Sequence, residues 1–257
     1  MPGHERLSEL VLADDPTDGL WEAHHSGELG ELVPEFPRLE MEQDPVHKHK
    51  DVLAHTIAVT AKTDPRLVVR LGALFHDIAK PDTRRFENNN VTFRFHEAVG
   101  ARITRQRLTE LGYPQDVVDD VSRLVEISGR FHGFDSSWTD AAVRRYARDA
   151  GHLLGELNHL VRCDCTTRNP KKVAALHRRI DELEERINDL AREDARAAER
   201  PDLDGTEIME HLGLEPGPLV GRARKHLLGL RRDRGELSHE EALEALDEWA
   251  AQQGIRS

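Results

Sequence analysis

The sequence predicts an all-α protein: a bundle of helices, followed by one long helix and a small C-terminal helical region. Charged residues make up 33% of the 257 residues and aromatic residues only 5%, a balance that suits a helical protein rich in Leu and Ala. Apolar residues recur at helical spacing along most of the chain. Strand-favouring runs, with the Gly and Pro that punctuate them, are too sparse for an all-β fold.

Helical spacing of apolar residues predicts several helices before the long one. They cover residues 45–63, 66–80, 96–111, 116–127, 139–150 and 152–163. The first is entered through Pro45, and the second should end at Lys80-Pro81, because proline has no amide hydrogen to donate. Residues 1–40 mix short helical patterns with Gly and Pro, and residues 82–94 are a predicted loop or short hairpin.

A long helix is predicted from Pro170, with Asn169 as its N-cap and Pro201 at its end. Its apolar residues alternate at steps of four and three, the heptad pattern of a packed seam. They are Leu176, Ile180, Leu183, Ile187 and Leu190. This stripe favours packing within the chain, and a homodimer seam is the alternative. Two or three shorter helices are predicted over residues 203–250.

The most informative motif is His76-Asp77, which lies in an apolar helical pattern and runs into Lys80. A buried Asp beside a buried His is costly unless its charge is compensated, and a metal ion compensates it well. With His55 upstream, these imidazoles and carboxylates suit Mn, Fe, Co, Ni, Zn or Mg rather than a thiolate-preferring metal. His55 alone would more simply be a buried, hydrogen-bonded histidine. The motif therefore predicts a metal-assisted hydrolase.

Six motifs occur in a fixed order along the chain. They lie at residues 47–56, 74–81, 95–101, 138–145, 164–169 and 200–205. Together they resemble the HD phosphohydrolase superfamily, whose signature is a His, then His-Asp, then a distant Asp. The branch they resemble most is the HD domain and C-terminal tail of bacterial tRNA CCA-adding nucleotidyltransferases. The resemblance covers about residues 30–245 and implies a helical, metal-dependent phosphohydrolase.

The resemblance implies that His55, His76, Asp77 and Asp164 hold one divalent metal ion. Without a metal, Asp164 would be an N-cap or the salt-bridge partner of Arg168. Three regions are expected along the chain. They are an N-terminal helical segment over residues 1–40, the HD hydrolase domain over residues 41–169 and a C-terminal helical region over residues 170–257.

Several basic residues are candidates for phosphate binding and proton transfer. Lys80, Arg84 and Arg85 follow the metal motif and could hold phosphate oxygens, although cations near a helix C-terminus are also favoured without a ligand. By resemblance His96 lies in the phosphate pocket, and otherwise it is a helix-start residue. His132, near loop glycines, is the second histidine that could protonate the leaving oxygen.

Three features limit what the resemblance implies for substrate binding, metal number and nucleotide addition. Arg144-Arg145 matches a family pair that would bind substrate, but it could equally be a salt-bridged helix face. Ser128 stands where this branch usually has a histidine, so one tight metal site is expected rather than two. Residues 1–44 lack the Gly-Ser and paired acidic motif of a nucleotidyltransferase domain, so this chain is not expected to add nucleotides unless it is a fragment or works with another polypeptide.

The predicted substrate is a phosphoester, either a nucleotide monoester or a nucleoside 2′,3′-cyclic phosphate, with RNA ends or tRNA as further candidate partners. The rival class is an HD-fold module or partner subunit that binds RNA through basic residues such as Arg222, Arg224 and Lys225. The net charge of −12 argues against general nucleic-acid affinity. A third class is a different HD chemistry: oxidation at a di-iron centre, which Ser128 disfavours, or release of a nucleobase.

Cysteine usage and hydropathy indicate the compartment. Cys163 and Cys165 are the two cysteines of the chain and build no disulfide framework, which favours a reducing cytoplasm. The first residues do not resemble a signal peptide, and no apolar run reaches the roughly 18 residues that a membrane span needs. The sequence therefore predicts a cytoplasmic protein with no membrane partner.

Overall fold

The computed structural model describes residues 2–42, 51–87, 90–135, 137–165, 167, 169–198 and 200–255, with every side chain in them except those of residues 87, 90, 132, 197 and 198. Within these ranges one two-stranded hairpin is the only sheet, and the predicted all-α fold is confirmed. The chain divides into two units, Met1–Ile187 and Asn188–Ser257. The domain boundaries expected after residues 40 and 169 stay predictions.

The first unit contains α1 to α10 and the start of α11. Its first elements are α1 (Gly3–Leu12), α2 (Thr17–His25), α3 (Glu28–Leu32), a 3-10 turn (Phe36–Leu39), α4 (Val52–Lys62), α5 (Leu67–Phe75) and α6 (Lys80–Thr83). They are followed by the antiparallel strands β1 (Arg85–Glu87) and β2 (Asn90–Thr92), then α7 (His96–Leu111), α8 (Gln115–Ile127) and a 3-10 turn (Ser128–Gly133). The last are α9 (Asp140–Ala150), a 3-10 turn (Gly151–Leu153), α10 (Leu154–Asp164) and α11 (Pro170–Ala198).

One apolar cluster joins the N-terminal helices to the helices that carry the His-Asp motif. Leu7 of α1 and Leu20 of α2 are fully buried, and they belong to the same cluster as Leu53 of α4 and Leu71 of α5. Each such side chain contributes about 1.5–3 kcal/mol when it is removed from water. The helices of residues 1–40 are therefore part of the core that supports the site.

The start of α4 differs from the prediction. This helix was expected from Pro45, which lies outside the described residues, but it begins at Val52. Asp51 has extended backbone angles, and its carboxylate accepts a hydrogen bond of 2.8 Å from the Ala54 amide. Asp51 is therefore an N-cap, and an N-cap residue stands outside the helical conformation.

The helix that leads into the His-Asp motif ends earlier than predicted, at Phe75. The His76 ring nitrogen Nδ1 donates a 2.7 Å hydrogen bond to the carbonyl of Ala73, which a continuing α-helix would offer to the Asp77 amide. The chain then turns and starts α6, where Pro81 lies in the first turn. The proline was expected to end a helix, but it starts one, as its fixed φ and missing amide hydrogen allow.

The N-terminal part of α11 packs within the chain, as its apolar stripe favoured. Asn169 caps it by accepting a 3.0 Å hydrogen bond from the amide two residues on. Ile180 and Leu183 are fully buried, and Asn158 of α10 donates a 3.0 Å hydrogen bond to Glu184 of α11. A homodimer through the remaining stripe stays a prediction.

The second unit contains the helices expected over residues 203–250. They are α12 (Gly205–Leu212), α13 (Pro218–Arg234) and α14 (His239–Gln252). Capping boxes start α12 at Asp204 and α14 at Ser238. The unit has its own apolar cluster, which includes Leu227 and Trp249. Across the described residues, no helix combines the length and apolar character that a bilayer span requires.

Replacing Gly72 with Ala is expected to lower the free energy of unfolding by about 1–3 kcal/mol. A Cβ at Gly72 would lie 2.5 Å from Cδ2 and 3.1 Å from Cγ of the buried Leu124, where α5 and α8 meet. Chemical denaturation should measure the loss, and the loss should shrink in a Leu124→Val background. Gly155→Ala in α10 is the control, because nothing lies within 4 Å of its added Cβ. Equal effects at the two glycines would contradict the proposed clash.

Candidate metal centre

The turn after α5 meets α4, α7 and α10 around a pocket of about 560 Å³. Its polar lining comes from His55, His76, Asp77, Lys80, Arg94, His96, Glu97, Ser128 and Asp164. Its apolar lining comes from Phe93, Phe95, Leu160 and Val161, and Gly129 completes it. All four predicted metal ligands are therefore brought together, although His55, the His76-Asp77 pair and Asp164 are distant from one another in sequence.

Three of these ligands form a close cluster. One ligand atom each from His55, His76 and Asp164 lie within 4.8 Å of one another. The Asp164 Oδ1 atom is 2.9 Å from His55 Nε2 and 3.6 Å from His76 Nε2. Two imidazoles and a carboxylate at such separations are a typical donor set for a borderline or hard divalent metal.

The His76 ring is oriented as a ligand. Its Nδ1 is occupied by the Ala73 carbonyl, so its Nε2 faces Asp77 and Asp164. That Nε2 atom is buried and makes no hydrogen bond within the described part of the chain. An unsatisfied buried nitrogen is uncommon, and a backbone bond on the opposite nitrogen is the usual arrangement for a metal-binding histidine. The residues therefore fit a divalent metal ion.

Asp77 lies beside this cluster with only 2% of its side chain exposed. Its Oδ2 atom is 3.2 Å from His76 Nε2, 3.7 Å from His55 Nε2 and 2.7 Å from Lys80 Nζ. Burial alone would raise the pKa of Asp77, but the charges of His76 and Lys80 outweigh it and hold that pKa well below its usual value. Asp77 is thus a carboxylate shared between the cluster and a buried lysine.

The pKa values of Asp164 and His76 are also shifted by the charges around them. Burial would raise the pKa of Asp164, but the hydrogen bond with His55 and the positive charge of His76 hold it well below its usual value. Burial would lower the pKa of His76, but the negative charges of Asp77 and Asp164 outweigh it and raise that pKa to about 10. Without a metal, the cluster therefore holds two carboxylates and an imidazolium at neutral pH.

Metal affinity is expected to rise about tenfold for each pH unit as pH increases from neutral toward the raised pKa of His76. A metal needs the neutral imidazole, so its binding releases the His76 proton, whereas Asp77 and Asp164 are already ionised. Titration calorimetry with Mn²⁺ in two buffers of different ionisation enthalpy should detect the release of protons on binding. An affinity that does not change with pH in this range would contradict the protonated cluster.

The structure places Lys80 and His96 in the same pocket. Lys80 was expected to face a phosphate, and its ammonium instead donates to Asp77 and lies 5.5 Å from the centre of the Phe93 ring. His96 donates from Nδ1 to the Phe93 carbonyl at 2.8 Å, which leaves Nε2 3.6 Å from Asp77 Oδ1. The side chain of His132 lies outside the described part. The roles of all three stay predictions.

Four predicted arginines do not line this pocket as the described residues form it. The Arg84 guanidinium lies 4.9 Å from the centre of the Phe86 ring, and Arg85 is exposed on the hairpin. Arg144 and Arg145 lie on α9. Their proposed contacts with substrate stay predictions.

Glu97 lines the pocket but was not among the predicted site residues. Its carboxylate lies 3.3 Å from His96 Nδ1 and packs so closely on Gly129 that an added Cβ there would overlap it. The signal was present, since Glu97 follows a predicted pocket histidine and Gly129 follows Ser128. The hydroxyl of Ser128 donates a 2.9 Å hydrogen bond to the Val125 carbonyl.

Comparisons with known proteins agree with this site. A family model described as the HD domain matches residues 52–163, which include His55, His76 and Asp77. The CC-adding tRNA nucleotidyltransferase of Thermus thermophilus is 34% identical over 262 residues, which cover 97% of this chain and 57% of that protein. The A-adding tRNA nucleotidyltransferase of Deinococcus radiodurans is 30% identical over 255 residues, which cover 96% of this chain and 57% of that protein.

The resemblance drawn from the motifs is thereby confirmed. The chain spans 57% of the length of each of these two curated relatives, so it matches a part of each. The family match and the cluster of two histidines and a carboxylate coincide on the same helices. The chain therefore contains an HD domain over residues 52–163 and is similar, over nearly all its residues, to part of two bacterial tRNA nucleotidyltransferases.

Proposed function

We propose that this chain is a metal-dependent phosphohydrolase that cleaves a nucleotide phosphoester, either a monoester or a nucleoside 2′,3′-cyclic phosphate. The observation that carries the proposal is the His76 Nε2 atom, which is buried, without a hydrogen bond in the described residues, and aimed at two carboxylates. Such a nitrogen is stabilised by a metal ion, and an HD-domain match covers His55, His76 and Asp77.

His55, His76, Asp77 and Asp164 would hold one divalent ion, chosen among Mn, Fe, Co, Ni, Zn and Mg. When bound, such an ion would supply Lewis acidity that activates water and polarises the phosphoryl oxygen. The Ser128 hydroxyl is already donated to a backbone carbonyl, which supports a single tight site in place of the pair that a histidine there would allow.

The remaining polar groups have separate tasks in the proposed reaction. Lys80 neutralises the charge that develops on the phosphoryl oxygens, since it is a buried cation in the lining of the pocket. His96 gives a proton from Nε2 to the leaving oxygen, because its Nδ1 is held by the Phe93 carbonyl. His132 is the alternative donor. Arg84 and Arg85 would hold further phosphate oxygens.

RNA is the second partner that we propose. Both relatives are named for action on tRNA, so the phosphoester of this chain is proposed to include the end of an RNA or tRNA. Arg222, Arg224 and Lys225 are exposed on α13 and offer phosphate contacts in the second unit, and Arg144 and Arg145 offer them in the first. A protein that meets such a substrate works in the cytoplasm. If turnover is absent, RNA binding alone is the remaining function.

The test is hydrolysis by protein that has been stripped with a chelator and then reloaded with each divalent metal in turn. The substrates are adenosine 2′,3′-cyclic phosphate, adenosine 2′- and 3′-monophosphate, and an RNA that ends in a cyclic phosphate. Turnover that depends on added metal and is lost in a His76→Gln variant supports the proposal. Metal-independent turnover, or none in any combination while the RNA still binds, overturns it and favours the binding module.

A further inference from the structure

One aromatic side chain at the pocket is largely exposed to solvent instead of packing into the core. Phe95 lines the pocket, yet 76% of it is exposed, more than any other large hydrophobic residue of the described chain. A phenyl ring in water loses the hydrophobic stabilisation that burial would provide. Single exposed apolar residues are common, so exposure alone is not evidence of a ligand.

The backbone of Phe95 supplies the second observation. Its φ of 65° and ψ of 17° are left-handed, and it is the one non-glycine residue with positive φ in the described part of the chain. That conformation is unfavourable for a residue with a side chain, and residues that adopt it cluster at functional sites. Glycine or asparagine would adopt it at lower cost.

The turn that contains Phe95 explains this backbone but not the ring. Both the amide and Nδ1 of His96 donate to the Phe93 carbonyl, at 3.2 Å and 2.8 Å, and this closes the turn that places His96 in the pocket. The Phe95 carbonyl then accepts from the Val99 amide in the first turn of α7. Since none of these bonds involves the phenyl ring, a smaller residue would serve the turn equally well.

The pocket is also larger than a phosphate group requires. Its volume of about 560 Å³ lies in the range of sites that enclose whole small molecules. Besides the metal ligands and Lys80, it is lined by the apolar side chains of Leu160, Val161 and Phe93. A substrate whose phosphate lies at the metal cluster would therefore extend a flat or apolar group along the apolar lining and Phe95.

We propose that Phe95 is a stacking platform for the nucleobase of the substrate. This inference rests on the proposed function and sharpens it: the enzyme selects nucleoside phosphoesters over esters of the same phosphate without a base. Stacking of one base on an aromatic side chain changes affinity by roughly tenfold or more and tolerates different bases. The preference is therefore for a base as such rather than for one particular base.

The experiment compares two cyclic phosphodiesters, one with a nucleobase and one without. Adenosine 2′,3′-cyclic phosphate and glycerol 1,2-cyclic phosphate share the five-membered phosphate ring, and the latter has neither base nor ribose. In Phe95→Ala, kcat/KM should fall about tenfold for the adenosine ester and stay unchanged for the glycerol ester. Phe95→Trp should keep the preference. Phe86→Ala is the matched control, because Phe86 is 68% exposed on the hairpin but does not line the pocket. In this control, the ratio of kcat/KM for the adenosine ester to kcat/KM for the glycerol ester should equal that of the wild type.

A Phe95→Gly variant separates stacking from folding. Glycine accepts positive φ without strain, so this variant should melt no lower than the wild type and still lose the preference for the adenosine ester. Equal losses on both esters, or no loss in Phe95→Ala, would overturn the platform. A marked fall in melting temperature in Phe95→Gly would assign the ring to stability and overturn it as well.

Equilibrium binding keeps this test independent of turnover. Calorimetry on metal-free protein with adenosine 3′-monophosphate and with glycerol phosphate should show weaker nucleotide binding, about tenfold, in Phe95→Ala only. If the wild type hydrolyses neither ester, the proposed function fails while this binding difference still supports the platform. If hydrolysis occurs, and the wild type and Phe95→Ala bind the nucleotide equally, the platform fails and the proposed function stands.

Discussion

Replacing Asp77 with Asn is expected to lower phosphoester turnover by at least about 100-fold, equivalent to about 2.7 kcal/mol of transition-state stabilisation. Asp77 is a buried carboxylate within 4 Å of both cluster histidines and of Lys80, and an amide has the same shape without the charge. Metal content after dialysis, measured by elemental analysis, should fall together with kcat/KM.

The variant must be separated from a folding defect, because it leaves the buried ammonium of Lys80 without its partner. The double variant Asp77→Asn with Lys80→Met removes both charges, and we expect it to regain stability without regaining metal. Asp82→Asn is the matched control, since that carboxylate lies on the neighbouring α6 and pairs with Arg38 instead. A folded Asp77→Asn protein with full metal content and full activity would refute the site.

Replacing Arg70 with Met is expected to lower the free energy of unfolding by about 3–5 kcal/mol, the largest effect away from the pocket. The Arg70 side chain is 1% exposed. It donates to the carbonyls of Val11 and Ala13 at the C-terminal end of α1, at 2.7 and 3.1 Å, and to that of Thr63 after α4, at 2.7 Å. Methionine fills a similar volume but donates no hydrogen bond, so these carbonyls lose their partner.

Arg66→Met is the matched control for this prediction. Arg66 precedes the same helix, but its side chain is 48% exposed and its ion pair with Glu156 is at the surface. Exposed pairs contribute about 0–1 kcal/mol, so the control should remain near wild-type stability in denaturant titrations. Similar losses in both variants would show that Arg70 acts as an ordinary surface charge.

The sequence predicted the helices best where apolar period and capping residues agree. The bounds of α7 and α8 match within one residue, because the glycine at residue 112 and the proline at residue 114 separate them. The end of α5 could not be predicted in this way. Its apolar period continues to Ile78, and the helix ends through a hydrogen bond from the His76 ring to the backbone.

The motif predicted the candidate metal ligands, but not the contacts of the residues around them. Residue types and order identified His55, His76 and Asp77, and the structure brings them together. The partner of Lys80 depends on the turn between α5 and α6, which places its ammonium on Asp77. The strained backbone of Phe95 has no signature in the sequence, because phenylalanine is an ordinary residue before a helix.

The apolar cluster shared by α1, α2, α4 and α5 has a consequence for hydrogen exchange. Because Leu7 and Leu20 are buried in the same cluster as Leu53 and Leu71, the N-terminal helices cannot open without exposing the core beneath the His-Asp motif. Amide protons in the middle of α1 should therefore exchange as slowly as those of α5, through one cooperative opening. A ligand that binds at the pocket would then slow exchange in α1, although it touches no residue there.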